Sequence, residues 1–349
     1  MRLKRWLRAH RWWDVQIPVM LAPVYLVLAA ADPPPPVLAT LGTIAVFLVA
    51  SIGIAGFGHL VNDLFDIEQD RASGAPNLAA SRGRTGRILL LATLLAIALV
   101  PWLRLPTSPA IWTLLAAEFA LFLLYSVPPV RLKERGVLGP VADALYSWTI
   151  STAVALLLFA GFAGVHVAWW MSSLLAAWAF TLGLRHILTH QIEDVGRDEA
   201  AGMTTFVRRF GWIRSFRLLE RIVLPIELSL LAALLAVAGL AAPLVPAGFA
   251  IWTVATVLGE RRRALDPRCL GGRGHGPAVH RLFFANITLL HRFYTLWLPL
   301  LALVTLAWRH PSALLLLAVH LAVFENGAIQ LGRAWFARWT GRRVAGEVA

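Results

Sequence analysis

The segment His59–Asp70, HLVNDLFDIEQD, closes a long apolar run and sets oxygen-bearing side chains at Asn62, Asp66 and Asp70, with Asp63 beside them. Positions four apart share one face of an α-helix, about 6 Å from each other along its axis. Carboxylates stacked that way repel one another unless cations sit between them. A second ladder, His186, His190, Asp194 and Asp198 in HILTHQIEDVGRD, follows far downstream. A charged residue at the bilayer centre costs about 2.5–3.5 kcal/mol on insertion scales. Asp63, Asp66, Asp70, Asp194 and Asp198 must therefore lie near the interface, around a wet cavity, or on metal. Hard oxygen donors without thiolate select Mg²⁺ over softer metals, and Mg²⁺ shares its shell with phosphate oxygens. Two such ladders facing each other would hold a diphosphate through Mg²⁺. One ladder alone reads equally as a solvated helix end. His186, His190 and Asp194 also offer a zinc set at helical spacing, although nothing marks a general base for a hydrolase beside them.

Between the ladders lies LLYSVPPVRLKERG, residues 123–136. Tyr125 ends an apolar run, Pro128 and Pro129 stop the helix, and Arg131, Lys133 and Arg135 follow at once. Cations in that position suit the outer oxygens of a diphosphate.

The elements that must position these residues are membrane spans. The chain has 349 residues, 58% of them hydrophobic, with a mean hydropathy of +0.69. Soluble domains run near 45–50% apolar. Candidate spans are 15–31, 37–61, 87–103, 110–127, 140–163, 167–190, 218–240, 243–259, 284–308 and 312–332. The last two could be one reentrant unit, so the expectation is an all-α polytopic bundle of nine or ten spans around a central cavity. The long, basic, Trp-bearing start argues against a cleaved signal peptide, although the first apolar run ends in Ala29–Ala31.

The net charge is +13, and lysine occurs only at Lys4 and Lys133. With ten spans and a cytoplasmic start, nearly all the basic residues fall in or beside inner segments. Only Arg104 and Arg309 fall in outer loops. This is the positive-inside pattern, and it puts both ladders on the cytoplasmic side. The charge needs no nucleic acid to explain it, and no nucleic-acid motif is present; the expected surroundings are membrane lipids. With Cys269 alone, neither an intrachain disulfide nor a cysteine zinc site can form. The glycines of GGRGHG follow no strand and precede no GK[ST], so residues 261–283 read as a basic cytoplasmic loop. Glu325 and Asn326, within the last span, read equally as a functional group, as a pair with a neighbouring polar group, or as an oligomer contact.

NDLFDIEQD, then YSVPPVRLK, then DVGRD resembles the UbiA superfamily of intramembrane prenyltransferases in motif, order and spacing. The resemblance covers roughly residues 8 to 260. It implies a helical bundle open laterally to lipid. It also implies a Mg²⁺-dependent enzyme that moves a prenyl group from a polyprenyl diphosphate to an acceptor, often aromatic. By the same resemblance, Asn62, Asp63, Asp66, Asp70, Asp194 and Asp198 are the metal–diphosphate ligands. Asp66, Asp194, Tyr125 and Lys133 are expected to be catalytic. Asn62, Arg71, Arg131, Lys133 and His190 are expected to bind substrate, with Arg8 or Arg11 near the cavity. Phe57, Phe65, Trp148 or Trp178 could face a carbocation. The expected organisation is a core over 1–260, the loop 261–283, and a C-terminal hairpin and tail over 284–349.

The sequence departs from the family after the first ladder. Many aromatic prenyltransferases carry Arg-Pro there, whereas this chain reads DRASGAPNLAAS, with Pro76 and Asn77. That weakens the case for a quinone-type acceptor. A terpene cyclase needing no acceptor, phosphosugar transfer to a lipid phosphate, and a non-catalytic ion- or lipid-binding protein or transporter are the competing readings.

Overall fold

The computed structural model describes residues 12–264 and 289–324. Arg8, Arg11, the basic segment from residue 265 onward, Cys269, and Glu325 with Asn326 lie outside those residues. The described residues are helical, with no strand among them. Seven of these helices are long and apolar enough to cross a membrane, and three shorter ones, Gln16–Ala30, Leu244–Leu258 and Pro311–Val323, are also apolar. Each expected span contains an apolar helix among the described residues, and seven of these helices have the length and composition to cross.

The chain divides into two compact units. The first comprises residues 30–237. Its helices are α2 (Val37–Phe65), α3 (Ile67–Ser73), α4 (Arg84–Leu103), α5 (Pro109–Ser126), α6 (Leu138–Ala163), α7 (Trp169–Glu193), α8 (Val195–Ala200), α9 (Phe206–Phe210) and most of α10 (Trp212–Ala241). α2 begins where Pro33–Pro36 cannot continue a helix, with Pro36 in an extended conformation at its N-cap. It has 29 residues, or about 44 Å at 1.5 Å per residue, against a hydrocarbon core of about 30 Å. Its acidic end can therefore reach the interface while its apolar part spans.

α2 lies close against α4 because Gly53 has no side chain. A Cβ there would stand 2.2 Å from the Ala98 backbone nitrogen. α5 starts on a Ser108 cap whose Oγ accepts the Ile111 N–H at 3.4 Å, with Pro109 at the first helical position. α6 contains a π-helical turn at Leu145–Ile150 and ends on Gly164 in the left-handed region, φ 65°. α7 crosses α6 where Gly183 meets Ala144; a Cβ on Gly183 would stand 2.8 Å from the Ala144 Cα. Arg185 of α7 and Glu227 of α10 form a fully buried ion pair at 2.6 Å, which locks those two helices.

The second unit comprises, of the described residues, 12–29, 238–264 and 289–324. Its described helices are α1 (Gln16–Ala30), α11 (Leu244–Ala264), α12 (Leu289–Arg309) and α13 (Pro311–Val323). Tyr25 Oη and His320 Nδ1 are 3.0 Å apart and tie α1 to α13. Arg309 closes the far end of α12. Its guanidinium donates to the Ala29 carbonyl at 2.8 Å and the Ala241 carbonyl at 2.5 Å. Those carbonyls lie at the C-terminal ends of α1 and α10, where a cation meets the negative end of the helix dipole.

Candidate active site

Both acidic ladders contain a kink at the middle aspartate. Asp66 (φ −114°, ψ 12°) is the junction of α2 and α3, and Asp194 (φ −93°, ψ 3°) is the junction of α7 and α8. The spacing predicts an unbroken helical edge at each place, so the kinks are a difference. The i→i+4 bonds nonetheless persist across them. Asp70 N–H reaches the Asp66 carbonyl at 2.8 Å, and Asp198 N–H reaches the Asp194 carbonyl at 2.9 Å. The short helices beyond the kinks, α3 and α8, pack against each other. The two ladders thus meet within one unit.

The centre of the first ladder is Asp66, 3% exposed. Lys133 Nζ donates to both its carboxylate oxygens and to Asn62 Oδ1 at 2.8 Å. Arg131 adds a bond from Nη2 to Asp66 Oδ1 at 2.9 Å, a second to the Phe65 carbonyl at 3.2 Å, and a third to Glu134 Oε1 at 2.6 Å. Arg131 is the one non-glycine residue with positive φ, at 41°, among the described residues. A side chain held in that region costs on the order of 1–3 kcal/mol and persists when its surroundings over-determine it. Here three hydrogen bonds do so. Burial holds the Lys133 ammonium below its usual pKa, against the opposing pull of Asp66.

Asp63 and Asp70 are engaged differently. Asp63 is buried and its Oδ2 accepts the Leu78 N–H at 2.7 Å. Asn77 Nδ2 donates to the Asp63 carbonyl at 2.8 Å and to Asp70 Oδ2 at 2.7 Å, while Asn77 Oδ1 accepts from the N–H groups of Ala79 and Ala80. Asn77, which stands in the stretch lacking Arg-Pro, is the clip that folds this loop onto the first ladder. Arg71 is exposed.

On the second ladder, Asp194 pairs with Arg197, and Asp198 accepts from Thr205 Oγ1 at 2.9 Å. Burial raises Asp198 above the usual carboxylate range, and Asp194 adds to the rise; Thr205, Arg208 and Arg197 oppose it. His190 is exposed, with its ring 4.5 Å from that of His186, which in turn lies 5.4 Å from Trp148.

Tyr125 stands in the last turn of α5, its ring 5.4 Å from that of Tyr146. Ser126 donates to Asn62 Oδ1 at 3.3 Å. The structure therefore gathers Asn62, Asp66, Ser126, Arg131 and Lys133 closely, with Tyr125 adjacent to Ser126 in the chain. It also adds Asp143, Tyr146 and Asn77, which the motifs do not mark, and gives a partner to Ser126, which lies inside YSVPPVRLK. Asp143 carries a usable signal all the same: an ionisable residue inside an expected span.

Among the described residues, no three His, Cys, Asp or Glu side chains form a group placed to hold a metal ion. This bears on the zinc set of His186, His190 and Asp194 as well as on the oxygen set. The donor chemistry nevertheless fits a hard cation. Asn62 Oδ1 and the Asp66 carboxylate are oxygen donors, and a cationic nitrogen, Lys133 Nζ, already rests on them.

Comparison with known sequences adds a decisive observation: the profile of the UbiA prenyltransferase family matches residues 17–270. The chain belongs to this family. A lycopene elongase/hydratase of Halobacterium salinarum is 27% identical over 151 residues, which cover 43% of this chain and 52% of that protein. One from Haloferax volcanii is 27% identical over 209 residues, 60% of this chain and 65% of that protein. The chain thus spans between half and two thirds of the length of these curated relatives. A UbiA homologue from Archaeoglobus fulgidus, solved with DMAPP and Mg²⁺ and again with GPP and Mg²⁺, superposes with a TM-score of 0.54. That match covers 90% of this chain and 99% of the homologue at 14% identity. The shared fold is that of the family, and the protein is an integral membrane protein.

Proposed function

We propose that this protein is a Mg²⁺-dependent prenyltransferase. It takes a polyprenyl diphosphate at the meeting point of the two ladders and passes the prenyl chain to an apolar polyene acceptor. The observation that carries this reading is the cluster of Asn62, Asp66, Arg131 and Lys133 beside Tyr125, facing the Asp198 helix. Family membership supports the reaction class. The lycopene named for the two archaeal relatives, and the Arg-Pro pair missing near Pro76, support a polyene over a quinone precursor.

In this reading Asn62, Asp63, Asp66, Asp70, Asp194 and Asp198 supply oxygens to the metal–diphosphate complex. The bound metal neutralises charge on the departing diphosphate and lowers the cost of breaking the allylic C–O bond. Lys133 and Arg131 supply charge-assisted hydrogen bonds to the diphosphate, and Tyr125 and His190 border it, with Arg71 at the outer edge. The aromatic rings about Tyr125 exclude water and present π faces to a developing carbocation. The placement of basic residues puts this pole on the cytoplasmic side.

The test uses the full chain in lipid nanodiscs with geranylgeranyl diphosphate, with and without lycopene, in Mg²⁺ or in EDTA. Mass spectrometry should find prenylated lycopene with Mg²⁺ only. A cyclic terpenoid from the donor alone would favour the cyclase reading. Failure to release diphosphate from any prenyl diphosphate would overturn prenyl transfer.

A further inference from the structure

A line of three oxygen groups runs from the diphosphate pole into the first unit. The Tyr125 and Tyr146 rings meet edge to face, with centroids 5.4 Å apart. Tyr146 Oη donates to Asp143 Oδ2 at 2.6 Å. Ser147 Oγ donates to the Asp143 carbonyl at 2.6 Å and lies 3.4 Å from Oδ1. Asp143, Tyr146 and Ser147 stand at i, i+3 and i+4 of α6, so all three share a face. The π turn begins at Leu145, between them; such turns occur often at functional sites.

Tyr125, Asp143, Tyr146 and Ser147 are each only half-buried, although they lie inside the helical unit. The Tyr146 ring lies 4.8 Å from Phe122 and 5.4 Å from Tyr125, which makes an aromatic wall beside the carboxylate. The hydrogen bonds to the Asp143 carboxylate come from hydroxyl groups, which stabilise its charged form. Among the described residues no lysine or arginine pairs with it as a structural ion pair would require.

We propose that Asp143 is the proton acceptor of the reaction, with Tyr146 and Tyr125 as the relay that returns the proton to the leaving group. The inference rests on the prenyl-transfer reading. The C–O bond of the donor breaks, with its electron pair going to diphosphate. The acceptor's π pair forms the new C–C bond and leaves a cation on the neighbouring carbon. That cation is discharged either by loss of an adjacent C–H proton or by capture of water, and in both cases one proton must leave. Asp143 takes it. Asp143 then passes a proton to Tyr146, Tyr146 to Tyr125, and Tyr125 to the departing diphosphate, so charge and atoms balance without a further reactant. The general-base step is worth on the order of 100-fold or more.

The experiment compares wild type, Asp143→Asn, Asp143→Glu and Tyr146→Phe as full-length protein in nanodiscs, with geranylgeranyl diphosphate and lycopene. Diphosphate release, prenylated lycopene and free prenyl alcohol are measured together. Thermal unfolding and donor binding show whether each variant is folded. Asp143→Asn should lower kcat for prenylated lycopene on the order of 100-fold, leave the donor KM within about threefold, and divert ionised donor to prenyl alcohol. Tyr146→Phe should shift the product ratio the same way, and Asp143→Glu should recover part of the loss. A fall in diphosphate release and product in equal proportion, or a change in neither, would overturn the proposal while leaving prenyl transfer standing. Absence of diphosphate release from wild type would overturn both.

Discussion

Lys133 is an ammonium almost without water around it, and its partners are all oxygens of the first ladder. Breaking a buried charge pair by removing one partner is far costlier than losing an exposed one. Lys133→Met should therefore cut kcat/KM for the donor at least about 100-fold, since it strips Asp66 of a partner and the diphosphate of a cation. Lys133→Arg should recover only part of that, because a planar guanidinium does not fill the place of a compact ammonium. Steady-state kinetics in nanodiscs reads both. Asn77 is a subtler case. Its amide holds Asp63 and Asp70 through the loop it clips, and Asn77→Ala should raise the donor KM several-fold more than it lowers kcat. An equal fall in kcat with KM unchanged would contradict that role.

The helices are legible in the sequence because apolar runs near twenty residues are long, uniform and bounded by Pro33–Pro36, Pro128–Pro129 and Pro311. The ladders are legible because carboxylates repeated every fourth residue are costly to keep at the end of an apolar span unless they bind something. The kinks at Asp66 and Asp194 are not legible, since no proline stands at either place; Asp66 is held by Arg131 and Lys133 from a distant loop. The clip at Asn77 is hidden for the same reason. Asp143, Glu118 and Glu227 are carboxyl groups inside expected spans, yet their apolar neighbours mask them in a hydropathy profile. Glu118 accepts from Ser151 at 3.0 Å, and Glu227 anchors Arg185. Glu227→Gln should leave Arg185 buried without its counter-charge and cost roughly 3–5 kcal/mol, seen as a lower unfolding temperature in detergent. A loss under about 1 kcal/mol would mean that the pair is effectively solvated. Gly53→Leu should separate α2 from α4, because the nearest atoms to the new Cβ are backbone and cannot turn aside. Its expected signature is poor accumulation of folded protein in the membrane.

At the scale of the molecule, apolar helices and a strongly basic chain specify a polytopic protein with one working face. The orientation makes a prediction of its own. A cysteine placed at Ser73, in a variant with Cys269→Ser, should react with an impermeant thiol reagent only when the cytoplasmic side is exposed. Labelling from the outside of intact cells would invert the assignment. The central claim is narrower: the two ladders, brought together where α3 packs on α8, act jointly on one diphosphate. The most direct measurement is Mg²⁺-dependent binding of geranylgeranyl diphosphate by calorimetry to wild type, Asp66→Asn and Asp194→Asn. The account predicts binding to wild type that vanishes in EDTA, and a loss of at least about tenfold in affinity, or 1.4 kcal/mol, in each variant separately. Wild-type affinity in Asp194→Asn, with Asp66→Asn impaired, would show the first ladder working alone and contradict it.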